Sequence, residues 1–278
     1  GSSAIGKTVM AAAAENLTPV LLELGGKSPA LIHPSFPIAD AAERLAFGKL
    51  WNAGQTCVAP DYVLVPRGKS AEFVGQMRKY MSQLYPSLLN NPDFTSIVND
   101  KQYSRLQRYL DDAREKGAKI VEVNPADESF NNSHKIPPTL ITNISTDMLV
   151  AQEELFGPIL LVVEYDDIEE AIDYINDRPR PLALYYFDYN EDRAQYLMDH
   201  THSGQFGINT MLTHITHCDL PFGGVGNSGM GKYHAHEGFL TMSHARSVLQ
   251  VGKLYSVKLL FPPFNKPQHS LLKNFFVR

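Results

Sequence analysis

The chain has 278 residues, of which 44% are hydrophobic and 20% are charged, a composition typical of a globular protein with one large domain or two. The net charge of −5 gives no electrostatic reason to expect a nucleic acid partner. The chain has only two cysteines, no leader-like segment and no long apolar run, which excludes a disulfide-stapled scaffold and predicts a cytoplasmic protein without a membrane span.

Short apolar strands alternate with amphipathic helices along most of the chain. Predicted helices lie at residues 8–14, 39–51, 71–84, 101–116, 168–176 and 191–200. Predicted strands lie at residues 20–24, 30–33, 62–65, 120–123, 160–165 and 182–187. This alternation predicts an α/β fold with an open, twisted, largely parallel sheet and flanking helices.

Glu23 follows an apolar run and precedes the glycine pair Gly25-Gly26. A strand that ends in two glycines can present a carboxylate at its carboxyl end, where open α/β sheets place their chemistry. A lone glutamate is more often a solvated surface charge. Glu23 therefore indicates a catalytic base only if a reactive side chain lies beside it.

Cys57 is the candidate for that neighbour. Gly54 and the polar pair Gln55-Thr56 precede it and Pro60 follows it, which indicates a tight loop rather than a core strand. A lone cysteine is usually a small buried apolar residue, but a thiol close to a carboxylate base can act as a nucleophile.

Five glycines between residues 220 and 231 indicate a backbone that turns tightly or approaches a ligand closely. The segment lacks the Gly-Lys-Ser/Thr ending of a phosphate-binding P-loop. A structural or active-site-lining loop is therefore favoured over a phosphate loop.

Five segments, taken in chain order, resemble the aldehyde dehydrogenase superfamily. They are residues 1–6 (GSSAIG), 22–29 (LELGGKSP), 54–57 (GQTC), 153–158 (EELFGP) and 220–224 (LPFGG). Finer features resemble the class 3 branch and, within it, the coniferyl aldehyde dehydrogenases. These features are residues 59–62 (APDY), 181–185 (PLALY), 226–231 (GNSGMG) and 261–264 (FPPF).

The resemblance also implies a domain organisation, because members of the family are considerably longer than this chain. Residues 1–23 are expected to be the end of the dinucleotide-binding domain, and residues 24–215 the catalytic domain with its cysteine. Residues 216–278 are expected to return to the cofactor domain and to supply an oligomerisation strand and a tail, as in a homodimer. The chain is then the C-terminal part of an enzyme, without the family's oxyanion-binding asparagine and its adenosine-ribose contact.

The family mechanism implies roles for two residues. Cys57 as thiolate attacks an aldehyde, a hydride passes to the nicotinamide of NAD or NADP, and a thioester remains. Glu23 then activates the water that hydrolyses the thioester to the carboxylic acid, and it can also assist in deprotonating Cys57. The class 3 features imply an aromatic or long apolar aldehyde, such as coniferyl aldehyde.

The resemblance further implies cofactor contacts at five positions. Ser2 is expected near the pyrophosphate, Ile5 against the adenine and Leu24 beside the nicotinamide amide. Glu154 would accept hydrogen bonds from the nicotinamide ribose, with Phe156 packed beside it. Without the family, Phe156 could equally be a core residue and Glu154 a surface charge.

The remaining candidates carry weaker signals. His214 and His217 could line an aldehyde entrance, although histidines beside loops are more often packing or surface residues. Cys218 has no visible base partner, and no histidine spacing indicates a metal site.

Two alternative functions stay open. A CoA-acylating relative would transfer the acyl group to CoA, but Glu23 argues against it because a water-activating base would be superfluous there. The other alternative is a non-catalytic fragment that folds and dimerises without turnover.

The end of the chain is basic and aromatic, with no acidic residue after Glu237. Such a tail can contact an anionic membrane surface. Because Pro262-Pro263 interrupts any continuous amphipathic helix, packing onto the protein body or a second subunit is favoured.

Overall fold

The computed structural model of the protein describes residues 1–131, 133–264 and 266–276, apart from the side chain of residue 276. It contains two compact units, Gly1–Met242 and Ser243–Arg278. The domain boundaries after residues 23 and 215 that the family resemblance implies stay predictions.

The first unit contains nine strands and eight helices among its described residues. The strands are β1 (Leu22–Glu23), β2 (Ser28–Ile32), β3 (Pro60–Pro66), β4 (Lys119–Glu122), β5 (Thr139–Thr142), β6 (Ile159–Tyr165), β7 (Ala183–Phe187), β8 (Gln205–Ile208) and β9 (Gly229–Met230). The helices are α1 (Ser3–Ala14), α2 (Ile38–Leu50), α3 (Ser70–Leu84), α4 (Asp100–Glu115), α5 (Leu149–Gln152), α6 (Ile168–Asn176), α7 (Glu191–His200) and α8 (Ala235–Thr241).

A seven-stranded sheet lies at the centre of this unit, with the strand order β4-β5-β6-β3-β2-β7-β8. Every neighbouring pair is parallel except β4 with β5. The prediction of an open, largely parallel sheet with flanking helices is therefore confirmed.

Two hydrophobic cores cover the two faces of the sheet. Alternate residues of one strand point to opposite faces, so Ile32 joins one core and its neighbour Leu31 joins the other. The first core includes residues of α2 and α3, and the second includes residues of α4, α6 and α7. Helices on both faces explain why the central strands are apolar throughout rather than alternating.

The strand that carries Glu23 lies outside the main sheet. The predicted strand at residues 20–24 is reduced to β1, which pairs only with β9, in antiparallel register Leu22 to Met230 and Glu23 to Gly229. The expectation that Glu23 ends a strand of the open sheet is therefore wrong. The glycine-rich segment supplies its partner, which agrees with a structural loop, and none of the cleft's lining residues comes from it.

The second unit consists of a 3₁₀ turn at Ser256–Leu260 and the helix α9 (Pro267–Phe276). Most of its described apolar side chains are exposed, including Leu249 and Leu254. No helix within the described ranges combines the length and the apolar character needed to cross a bilayer. The packing of this tail onto the body or a second subunit stays a prediction.

Candidate active site

A cleft of about 840 Å³ in the first unit contains Cys57 and Glu23 together. Its lining residues come from the two residues before α1, from β1 and its continuation, and from the loop of residues 54–60 around Cys57 (the Cys57 loop). Others come from α4 with the segment just before it, and from the segment before β6. They are Gly1, Ser2, Glu23, Leu24, Gly25, Gln55, Thr56, Cys57, Val98, Asn99, Gln102, Arg105, Tyr109, Glu153, Glu154 and Phe156. Six of the seven site residues expected from the sequence thus line one cleft, and Ile5 does not.

The Cys57 loop is held by the side chain of Gln55. Its Nε2 donates to the carbonyl oxygens of Asn52 (3.2 Å) and Ser96 (3.0 Å), and its Oε1 accepts from the backbone N–H of Val98 (2.9 Å). The bonds to Ser96 and Val98 fix the loop to the segment that precedes α4, and the bond to Asn52 lies within the preceding turn. Cys57 is partly buried and packs against the first core, so its Sγ is held rather than free in solvent.

Glu23 is positioned by close contact between two backbones. Gly229 has φ of 150°, and a Cβ there would collide with the carbonyl oxygen of Leu22. Both carboxylate oxygens of Glu23 are buried without a hydrogen-bond partner in the described structure. Burial raises the pKa of Glu23 to about 7, so this carboxyl group can hold or release a proton near neutral pH.

The surroundings of Cys57 disfavour ionisation of its thiol. Burial raises the pKa of the Cys57 thiol, and the charges of Glu23 and Glu154 raise it further. The thiol is therefore neutral at rest. The charge of an ionised Glu23 therefore does not stabilise a Cys57 thiolate.

Glu154 presents its carboxylate to the cleft beside the glycine pair that follows Glu23. Gly25 has φ of +74°, and a Cβ there would lie 2.7 Å from Glu154 Oε1. The backbone N–H of Gly26 donates to this carboxylate. Burial, followed by the charge of Asp61, raises the pKa of Glu154 to about 7. The group is a hydrogen-bond acceptor with oxygen atoms available for a diol.

Of the other expected cofactor residues, Ser2, Leu24 and Phe156 line the cleft, and Ile5 lies outside it on α1. Ser2 caps α1, since its Oγ accepts from the backbone N–H of Ile5 at 3.4 Å. Leu24 lies so close to α1 that a Cβ on Gly6 would be 2.8 Å from it. Phe156 is 36% exposed, whereas Ile5 is 59% exposed on α1. The cofactor roles of these four residues stay predictions.

Arg105 is a cleft residue that no individual sequence signal indicates. It projects from α4, and its guanidinium donates to the carbonyl oxygens of Glu154 (2.8 Å) and Leu155 (2.6 Å). The helix is predicted from the sequence, but its charged face is typical of a solvated surface. Only the tertiary contact distinguishes Arg105 from the other charged residues of α4.

His214 is buried, while His217 and Cys218 are exposed. Both ring nitrogens of His214 are without a hydrogen-bond partner among the described residues, and burial lowers its pKa to about 4. Its ring lies 5.7 Å from that of Tyr185 and 6.4 Å from that of Phe222. The role of His214 and His217 at an aldehyde entrance stays a prediction.

Within residues 1–131, 133–264 and 266–276, no group of three or more histidine, cysteine, aspartate or glutamate residues is placed to hold a metal ion.

Comparison with known proteins identifies the family. The model of the aldehyde dehydrogenase family matches residues 1–248. The protein named "Probable coniferyl aldehyde dehydrogenase" from Pseudomonas aeruginosa is 52% identical over 278 residues, which are 100% of this chain and 58% of that protein. The chain thus spans little more than half the length of this relative.

Two solved structures agree with this result. AldH of Staphylococcus aureus in its substrate-bound state is 40% identical with a TM-score of 0.90, covering 99% of this chain and 59% of that one. An aldehyde dehydrogenase of Mycobacterium tuberculosis complexed with NAD+ is 33% identical with a TM-score of 0.76. The match covers 86% of this chain and 49% of that one. The resemblance inferred from the motifs, including the likeness to coniferyl aldehyde dehydrogenases, is confirmed. The chain belongs to the aldehyde dehydrogenase family.

Proposed function

We propose that the protein oxidises an aldehyde to the carboxylic acid, with Cys57 as nucleophile, Glu23 as base and NAD or NADP as hydride acceptor. One observation carries the proposal. A half-buried thiol and a carboxylate with two unpaired oxygens line the same cleft. The family and the names of the relatives support the same chemistry.

Cys57 Sγ attacks the carbonyl carbon of the aldehyde, and a carbon–sulfur bond forms. Because the surroundings keep the thiol protonated at rest, the proton has to leave as the bond forms. The ionised carboxylate of Glu23 accepts this proton. The backbone N–H of Cys57 is a donor for the negative charge that develops on the aldehyde oxygen.

Glu23 has its main role in the second half of the reaction. After oxidation the acyl group is held on Cys57 as a thioester. Glu23 first releases the Cys57 proton to solvent and then removes a proton from water, so that the hydroxyl oxygen bonds to the acyl carbon. The carbon–sulfur bond breaks, the acid leaves, and the Cys57 sulfur takes the proton back from Glu23. The absence of hydrogen bonds to its oxygens leaves Glu23 free to bind that water.

The cleft fits the nicotinamide end of a dinucleotide. Glu154 offers carboxylate oxygens for the ribose hydroxyls, and Gly25 leaves the room that a Cβ would fill. When bound, the nicotinamide supplies hydride acceptance from the carbon attached to Cys57. The Mycobacterium tuberculosis neighbour complexed with NAD+ supports a nicotinamide cofactor, which is NAD or NADP in this proposal.

We assign the substrate to the aromatic or long apolar aldehydes, coniferyl aldehyde among them. The name of the Pseudomonas aeruginosa relative supports this class. The cleft that holds Cys57 is also lined by Val98, Tyr109 and Phe156, so apolar and aromatic side chains border it. A homodimer is the proposed assembly.

The test measures the formation of reduced cofactor with benzaldehyde and with coniferyl aldehyde as substrates, and then identifies the product. Cys57→Ala is expected to reduce kcat at least about 10³-fold, because a nucleophile cannot be replaced by a methyl group. Cys218→Ala, the matched change at an exposed cysteine, is expected to keep full activity. Retained activity in Cys57→Ala, or an acyl product that forms only with CoA, would contradict the proposal.

A further inference from the structure

Lys27, Asp61 and Lys49 form a buried ionic cluster next to the cleft. Their side chains are 10%, 3% and 0% exposed. Lys27 Nζ lies 3.2 Å from Asp61 Oδ2, and Lys49 Nζ lies 3.7 Å from Asp61 Oδ1. Burying three charged groups is expensive, so their arrangement calls for an explanation beyond surface charge.

The cluster joins the two segments that carry the proposed catalytic pair. Lys27 follows Glu23 by four residues, and Asp61 follows Cys57 by four residues. The hydrogen bond between Lys27 and Asp61 therefore links the backbone after β1 to the end of the Cys57 loop.

The same groups hold both neighbours of Glu154. Lys27 Nζ donates to the carbonyl oxygen of Glu153 at 2.8 Å, and Asp61 Oδ2 accepts from the backbone N–H of Leu155 at 2.9 Å. Lys27 also donates to the carbonyl oxygen of Val150 at 2.9 Å. Glu154 thus lies between two residues that are each bonded to the cluster.

Lys49 contributes to the cluster by charge and not by hydrogen bonding. Its Nζ makes no hydrogen bond within the described residues, so it acts through its charge. It is the penultimate residue of α2, immediately before the turn that leads to Cys57. Two lysines and Asp61 together carry a net positive charge when both lysines are protonated, and ionised Glu154 balances it.

We propose that the Lys27–Asp61–Lys49 cluster positions the cleft, because it holds the Glu154 carboxylate and the Cys57 loop at a fixed distance and orientation relative to each other. The consequence for the cofactor rests on the proposed function, in which Glu154 binds the nicotinamide ribose. The three residues touch neither substrate nor cofactor and act through Glu154 and the Cys57 loop.

The first measurement needs no turnover. Hydrogen–deuterium exchange is compared in the full chain for wild type, Lys27→Met and the matched control Lys135→Met. Lys135 also donates to two carbonyl oxygens, those of Leu88 and Asn91 at 2.8 Å each, but both lie outside the two segments that Lys27 joins. We expect Lys27→Met to increase amide exchange at residues 55–61 and 150–156 by about tenfold or more, and Lys135→Met to leave both segments unchanged.

The second measurement separates KM from kcat. In Lys27→Met the KM for NAD is expected to rise about tenfold or more with a smaller change in kcat, because a displaced Glu154 weakens cofactor binding. Lys27→Arg keeps the charge and the donors and is expected to recover part of this loss. Where Lys27→Met does not fold, Lys49→Met replaces it, since Lys49 has no hydrogen bond to lose, and the same direction is expected.

Unchanged exchange at both segments in Lys27→Met and Lys49→Met overturns the proposal, as does an equal change in Lys135→Met. A wild-type protein that does not use NAD or NADP would contradict the proposed function instead. The exchange result then still decides whether the cluster holds the two segments.

Discussion

Glu23 is unusual because both of its carboxylate oxygens are buried and neither has a hydrogen-bond partner among the residues that the structure describes. A carboxylate in this situation is a stronger base than one in water, since burial raises its pKa to about 7. Cys57, in contrast, is made harder to ionise by the same burial and by the two nearby carboxylates. The pair is therefore arranged for proton transfer during the reaction and not for a permanent thiolate.

The Cys57 thiol is expected to ionise more easily once the charge of Glu23 is removed. Because an ionised Glu23 raises the pKa of Cys57, Glu23→Gln should shift the pH profile of its alkylation by iodoacetamide to lower pH. The measurement uses a Cys218→Ser background, since Cys218 is exposed and would also react. A shift to higher pH would show that Glu23 promotes the resting thiolate.

The rate of acid formation is expected to rise with pH through about 7. Glu23 acts as a base only when ionised, and its pKa is raised to about 7, so protonation below that pH removes the activity. The measurement is the pH dependence of kcat with benzaldehyde between pH 5 and pH 9, about two pH units on either side of this pKa. A profile that is flat across neutral pH would contradict this assignment.

The chemistry-bearing residues differ in how far the sequence could predict them. Cys57, Glu23 and Glu154 each lie in a short motif, and the structure brings them to one cleft as expected. Lys49 lies on the buried face of the amphipathic helix α2, and Arg105 lies on the charged helix α4. Their neighbours come from distant parts of the chain, so no local pattern could have singled them out.

Among the elements, the antiparallel pair of β1 and β9 determines where Glu23 lies. Each strand has only two residues, and the backbones approach so closely that Gly229 has no room for a side chain. This explains the glycine-rich composition of the segment better than phosphate binding does. The base of the proposed reaction is therefore held by a segment more than 200 positions away in the sequence.

Gly229→Ala is expected to destabilise the fold by about 2 kcal/mol or more and to reduce activity, because the new Cβ would meet the Leu22 carbonyl oxygen at a φ that disfavours side chains. Gly75→Ala is the matched control. Gly75 lies in α3, and a methyl group added there would have no atom within 4 Å, so this change should be neutral or stabilise by about 0.5–1 kcal/mol. Urea unfolding and kcat/KM measure both, and equal behaviour of the two variants would contradict this view of β9.

The long, strongly patterned elements were predictable, whereas several short ones were not. The predicted helix at residues 71–84 and the predicted strand at residues 160–165 each differ from α3 and β6 by one residue at one end. In contrast, β5 and β8 have four residues each and were not predicted. β5 follows two prolines and β8 contains Gly207, so sheet pairing rather than local preference makes them strands.

For the molecule as a whole, the active site has a cost in stability. A carboxyl group whose pKa is raised from 4.5 to about 7 binds more protons in the folded state than in the unfolded state between these pH values. The stability of the protein must therefore fall, through this group, as the pH rises across that interval. The loss is complete above about pH 7 and absent below pH 4.5.

Glu23→Gln is consequently expected to stabilise the protein at pH 8 by about 1 kcal/mol, with allowance for the partial exposure of the group, and to have little effect at about pH 4. The carboxylate of Glu153 is exposed and serves as the control. Glu153→Gln should change the stability of the protein at neither pH. Urea unfolding at the two pH values measures the difference. A variant that is less stable than wild type at the higher pH would contradict the assignment of Glu23 as an unpaired buried base.

The central claim is that Cys57 carries the acyl group and that Glu23 is needed to remove it. The most direct test is intact-protein mass spectrometry of Glu23→Gln after reaction with benzaldehyde and NAD. We predict a stable adduct on Cys57 with the mass of the aldehyde less two hydrogen atoms, while wild type turns over without accumulating it. A Glu23→Gln variant that releases acid as fast as wild type, or an adduct on another residue, would contradict the claim.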